Sequence, residues 1–338
     1  MTQTNKIVRT VCLFSHKPDK AAADKLNQLA ERLIKNGFVV QTKRLCSKNL
    51  GINEIESKIT DTSIILGLGS LAQDKIDLEG FFSSQRVFFN LDLTSQTIDL
   101  KPVEFLFKIV SQKAEKTFNF TYVFNHVHSS PFFPSAVYNQ DGFSVGLQPT
   151  DLSENCQSLD NWFNKLTSTY QELMKIFQTE PDFLGIDSSI APLYQGKSSL
   201  VNLVKRLNPS FPESVTTDFY LKITNFIKQN NPKPIGLCGL MLPCLEDFEL
   251  AEEYEKGEFS LERNIFLSLH SGLGIDTYPL GIDENPERVV AVLQLLQGLA
   301  KKHNKPLSCR FVSDGKAKIG EKTDFKNQYL KNVIVRKI

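Results

Sequence analysis

Read for apolar and polar positions, the chain alternates between short β-rich runs and longer stretches with helical spacing. Lys6-Ile-Val-Arg-Thr-Val-Cys-Leu-Phe14 predicts a strand, and Pro18 opens a helix whose Leu26, Leu29, Ala30, Leu33 and Ile34 share one face. Asn36-Gly37 stops that helix, and Phe38–Leu45 returns as a strand. Strands at 63–67, 86–91 and 118–124 follow, with helices near 52–59 and 101–116 between them. Beyond an irregular segment, His126–Tyr138, the pattern predicts a strand at 143–147 and helices at 157–178, 197–207 and 213–229. The last helix is the most legible, with Asn285 before Pro286 and Lys301, Lys302 and His303 at its C-terminal end. Strands alternating with helices predict a largely parallel sheet in one continuous α/β domain over residues 1–338.

Four apolar segments in the second half each lie next to an acidic residue. They are Phe183–Asp187, Gly236–Pro243 with Glu246-Asp247, His270–Asp276 and Ser308–Asp314. An apolar run that stops at a carboxylate reads as a buried strand ending at a polar mouth, where α/β proteins place their chemistry. Asp187 with Ser188 and Ser189 is thus a candidate for binding a hydroxyl or ammonium group, against the alternative that Asp187 only caps a turn. Asp276 repeats the pattern. Glu246 and Asp247 open a helix and either serve its dipole or turn into a pocket as a general base. In a pocket they could also join Asp187 and Asp276 around a divalent metal.

His270 stands at a helix end near Asp276, where imidazole suits proton transfer. Arg310, Lys316 and Lys318 form a small cationic cluster around Asp314-Gly315 that could hold a carboxylate or phosphate, against the alternative of a solvated turn. His126 and His128 share one side of a strand if the preceding alternation continues, though no third metal ligand is evident. Gly67-Leu-Gly-Ser70 lacks the spacing of a nucleotide loop, and no Gly-x-Ser-x-Gly is present. No motif singles out a cofactor.

Composition narrows these readings. A net charge of +1 over 338 residues gives no basic footprint for nucleic acid, and the apolar runs are too short to span a bilayer. Met1–Lys6 has no apolar signal region, and the six cysteines are scattered without a Cys-x-x-Cys pair. A reduced, cytoplasmic protein is expected, with a homo-oligomer left open.

The segments Phe132–Tyr138, Gly142–Leu147, Gly185–Pro192, Gly236–Asp247, Ser271–Asp276, Lys305–Arg310 and Gly315–Gly320 together resemble the DUF711 (UPF0210) family. The resemblance implies a ten-stranded α/β barrel similar to pyruvate formate-lyase and ribonucleotide reductase. Glycyl-radical chemistry would need a C-terminal Arg-Val-(Ser/Ala)-Gly-Tyr-like loop, which the last sixty residues lack, and a central cysteine, for which Cys238 and Cys244 are candidates. The expectation is a non-radical enzyme acting on a small anionic metabolite in a central pocket. Asp187, Glu246, His270 and Asp276 would supply its acid–base group, Ser188, Ser189, Arg310 and Lys316 its ligand contacts. The competing expectation is a non-catalytic metabolite sensor or scaffold.

Overall fold

A computed structural model describes residues 6–338, so the reading of Met1–Lys6 as lacking an apolar signal region falls, apart from Lys6, outside the described residues. The strands are β1 (Lys6–Phe14), β2 (Phe38–Val40), β3 (Lys43–Cys46), β4 (Ile64–Ser70), β5 (Val87–Asp92), β6 (Phe120–Phe124), β7 (Gly142–Leu147), β8 (Phe183–Asp187), β9 (Gly274–Pro279) and β10 (Leu307–Val312). The helices are α1 (Lys20–Lys35), α2 (Ile52–Lys58), α3 (Leu78–Ser83), α4 (Leu100–Lys113), α5 (Leu159–Phe177), α6 (Leu200–Leu207), α7 (Phe211–Ser214), α8 (Phe219–Gln229), α9 (Phe248–Lys256), α10 (Leu261–His270) and α11 (Pro286–His303).

All ten strands join one sheet, in the order β8-β7-β1-β3-β4-β5-β6-β10-β9, with β2 also on β1. Neighbours are parallel except at two antiparallel seams, β1 with β7 and β6 with β10. These seams divide the sheet into three parallel blocks, a central one from β1 to β6 and two outer ones, β8-β7 and β10-β9, that run opposite to it. Along each strand one face is apolar and packs under helices: Val11 and Leu13 of β1, Leu45 of β3, Leu66 of β4, Phe89 of β5 and Phe120 and Tyr122 of β6 belong to one core cluster. The alternate positions are smaller or more polar, among them Gly67, Asn90, Thr121, Ser144, Gly146 and Ser308.

The small residues make room for the irregular segment after β6, which lies against this second face. A Cβ on Gly67 would meet Phe133 at 2.6 Å, and one on Gly146 would meet Phe132 at 2.7 Å. Polar side chains fasten its backbone: Asn90 Nδ2 donates to Pro134 O at 2.9 Å, and Ser144 Oγ to Ser129 O at 2.9 Å. His126 and His128 therefore lie beyond the end of β6 rather than on a strand, although their rings remain 5.2 Å apart.

Three further expectations change. The run 38–45 is two strands interrupted at Gln41-Thr42, and 213–229 is split into α7 and α8. Gly236–Pro243 forms no regular strand, because Gly236 and Cys238 adopt φ of 74° and 45°. The segment instead makes single bridges, Ile190↔Leu240 just beyond β8 on one side, and on the other Leu240↔Gly272 just before β9 and Pro243↔Asp276 on β9 itself. Ile190 N–H donates to Gly239 O at 2.9 Å, and Cys244 N–H to Asp276 O at 2.9 Å.

Candidate functional site

Between the inserted segment and the sheet lies a cavity of about 110 Å³ whose polar wall carries Arg9, Arg44, Glu246, Asp276 and Arg310. Each comes from a different part of the fold. Arg9 sits at a register shift of β1, where Val8 pairs with Leu147 and Thr10 with Gly146, so that one extra residue is accommodated. Such bulges re-aim side chains beside functional sites. Arg44 is on β3 and Arg310 on β10, while Asp276 lies at a second register shift, between β9 and β10. Its neighbour Thr277 holds φ at 41°, costly for a β-branched residue. Glu246 precedes Asp247, the residue that caps α9.

Arg310 is the hub. Its Nε donates to Asp276 Oδ1 at 2.6 Å, its Nη2 to Glu246 Oε2 at 2.7 Å and its Nη1 to Phe118 O at 3.3 Å. The guanidinium also lies 4.9 Å from the Phe118 ring centroid. Burial alone would favour its neutral form, but the two carboxylates outweigh that and raise its pKa. Glu246 has the opposite balance: burial raises its pKa despite Arg310, and Asp276 adds to the rise. Its Oε1 stands 3.7 Å from Arg9 Nη2, beyond hydrogen-bond reach.

Arg44 is the exception among these charges. It is 8% exposed and pairs with no carboxylate among the described residues. Its Nη1 donates to Pro131 O at 3.2 Å, its Nε to Thr42 Oγ1 at 3.3 Å, and it lies 5.1 Å from the Phe133 ring centroid. Burial, reinforced by repulsion from Arg9, pushes its pKa down to about 9. Three guanidinium groups thus face two carboxyl groups across the cavity. The rest of the wall is mainly apolar, with Phe88, Phe118, Phe133 and Leu242 prominent, and is interrupted by the hydroxyl groups of Thr42, Thr121, Ser135, Ser308 and Tyr329.

Of the residues singled out in the sequence, Glu246, Asp276 and Arg310 meet here. Asp187 does not join them. Its Oδ1 accepts from Ser189 N–H at 3.0 Å, Ser189 O–H at 2.6 Å and Cys238 N–H at 3.1 Å. Its Oδ2 accepts from Leu237 N–H and Ser130 O–H, both at 2.9 Å. Gly236 passes so close that a Cβ there would lie 2.2 Å from Asp187 Oδ2, which explains that glycine. Ser188 Oγ donates to Ile227 O at 2.8 Å. These contacts fasten the 236–239 turn against β8, and Leu237 of that turn lines the cavity.

His270 pairs its Nδ1 with Ser271 Oγ at 2.7 Å and packs edge-on against Phe266. Burial and Lys305 lower its pKa. Lys316 is exposed and borders a separate surface pocket with Lys113, Lys326 and Tyr329. Asp247 Oδ1 accepts from Glu249 N–H at 3.2 Å and Leu250 N–H at 3.3 Å, and Oδ2 from Leu200 N–H at 2.9 Å. Among the described residues no group of three or more His, Cys, Asp or Glu side chains is placed to hold a metal ion, and no helix is long and apolar enough to cross a membrane. Arg9 and Arg44 were missed by the sequence reading. The available signal was an arginine inside an otherwise buried strand pattern, in Val8-Arg9-Thr10 and Lys43-Arg44-Leu45.

Residues 83–327, most of the chain, match the family described as Uncharacterised ACR (DUF711). The chain belongs to the DUF711 family. No curated protein matches it. The DUF711 match takes in Glu246, Asp276 and Arg310, whereas Arg9 and Arg44 lie before its first residue.

Proposed function

We propose that this DUF711 protein is an enzyme that binds a small anionic metabolite in the arginine-lined cavity and moves a proton with Glu246. The observation that carries this reading is Arg44, a buried cation with no carboxylate partner among the described residues, beside a cavity large enough for a ligand. A buried charge is stabilised only when paired, so an anion bound against Arg44 and Arg9 completes the site. Arg310 holds Glu246 and Asp276 in place and keeps one oxygen of Glu246 turned to the cavity without a hydrogen bond. Burial tunes that carboxyl group towards neutral pH, as general acid–base catalysis requires.

The same reading takes the fold as one domain and as a barrel of the pyruvate formate-lyase kind. The two outer blocks run opposite to the central one, and the 234–247 segment reaches from β8 to β9 by single bridges, which supports a sheet that returns on itself. One apolar cluster reaching from Val8 to Ile338 supports the single domain. Cys238 and Cys244, the candidates for a central thiol, do not line the cavity, which favours proton-transfer over thiyl-radical chemistry.

A thermal-shift screen against hydroxy, keto and amino acids, followed by incubation of each hit with enzyme, tests the proposal. A hit that is converted by the wild type, and bound but not converted by Glu246→Gln, is the expected result. A ligand returned unaltered by the wild type would replace the enzyme with a sensor. Hits that persist undiminished in Arg44→Met would remove the site altogether.

A further inference from the structure

The charge balance, the volume and the apolar wall of the cavity together narrow the ligand beyond a small anion. Three guanidinium groups against two carboxyl groups leave one positive charge, so a monoanion neutralises the site and a dianion overshoots it. A volume of about 110 Å³ is smaller than the ~150 Å³ cavity that accommodates benzene, and suits about four to seven non-hydrogen atoms. Arg44 spends Nε on Thr42 and Nη1 on Pro131, leaving Nη2 without a protein acceptor among the described residues. Arg9 Nη1 meets Gln41 Oε1 at 3.2 Å, and its Nη2 faces Glu246 from 3.7 Å. The Thr42, Thr121, Ser135 and Ser308 hydroxyls on the wall already donate to backbone carbonyls, so the free arginine donors, which can satisfy two carboxylate oxygens, suit a carboxylate better than a phosphoryl group with its additional acceptors. Phe133 lies against Arg44 and Phe118 against Arg310, and with Phe88 and Leu242 they offer surface to a hydrocarbon part.

We infer that the site takes a short monocarboxylate of two to four carbons, its carboxylate on Arg44 and Arg9 and its hydrocarbon end against the phenylalanines. The inference rests on the anion site proposed above and names its ligand class. Its test is ligand-observed NMR with titration of the full-length protein, using acetate, propionate, pyruvate, butyrate, octanoate, malonate and inorganic phosphate as probes. The two- to four-carbon monocarboxylates should bind at least ten-fold more tightly than octanoate, malonate or phosphate. Arg44→Met should weaken them at least ten-fold, and Phe133→Ala should shift the preference towards longer chains. Should Arg44→Met fail to fold, the wild-type rank order decides. Phosphate, malonate or octanoate binding more tightly than the short monocarboxylates, with loss in Arg44→Met, would overturn the ligand class and leave the anion site standing. Absence of binding by every probe, or binding indifferent to Arg44→Met, would overturn both.

Discussion

Asp187 and Arg44 are both charged and buried on the sheet, yet their surroundings are opposite. Asp187 receives five hydrogen bonds from its own chain, three from backbone N–H groups and two from serines. Arg44 receives no carboxylate among the described residues and pushes against Arg9. A charge that the fold satisfies internally holds the fold together. A charge left over is a cost to stability that binding can recover. Burial alone does not tell the two apart; the partner count does.

Arg310 gives the strongest test of this contrast, because it belongs to both kinds. Arg310→Met would leave Glu246 and Asp276 unpaired and should destabilise the protein by about 3–5 kcal/mol, read from urea unfolding. Asp187→Ala removes the acceptor of five donors and should cost about 3 kcal/mol, while leaving anion affinity within about two-fold. A large affinity loss with little destabilisation would erase the distinction.

Asp247 sharpens the comparison through pH. Burial raises its pKa from 3.8 to about 6 despite three backbone donors. A carboxyl group whose folded pKa is raised contributes its stability below the unfolded pKa, and loses it as pH climbs through the folded value. Wild-type stability should therefore fall relative to Asp247→Asn between about pH 4 and 7, by up to roughly 3 kcal/mol. Parallel pH curves for the two proteins would contradict this. The smallest effect has the opposite sign. Arg44→Met should raise stability by about 1–2 kcal/mol while abolishing anion binding, whereas a loss of stability would make Arg44 structural.

The sequence exposed the periodic parts of this molecule most clearly. Asn285 does cap α11, accepting from Glu287 N–H at 2.9 Å, with Pro286 in the first turn. The strand pattern also marked Lys6–Phe14, which is β1. It could not tell that the other face of the sheet encloses a segment of the same chain, because Gly67 and Gly146 make sense only beside Phe133 and Phe132. Arg9 was hidden for a related reason: a single extra residue in β1 changes which side chains point inward, and nothing in Val-Arg-Thr marks it. Gly236–Pro243 read as a strand because its composition is apolar, while the positive φ of Cys238 depends on docking against Asp187. Glu246 and Asp247 show the limit most directly. They are adjacent carboxylates at a helix start, one on the cavity and one on the helix N-terminus, and only the turn of the backbone assigns them.

The two antiparallel seams also govern how the chain is made. During synthesis β1 and β3 to β6 can pair in order of emergence, through short local crossovers. One edge of β1 then waits for β7, and one edge of β6 waits for β10, which emerges more than 180 residues after β6. The newborn central block therefore carries an open strand edge on each flank until β7 covers the first and β10 the second, and the wait for β10 is the longer interval of exposure to aggregation.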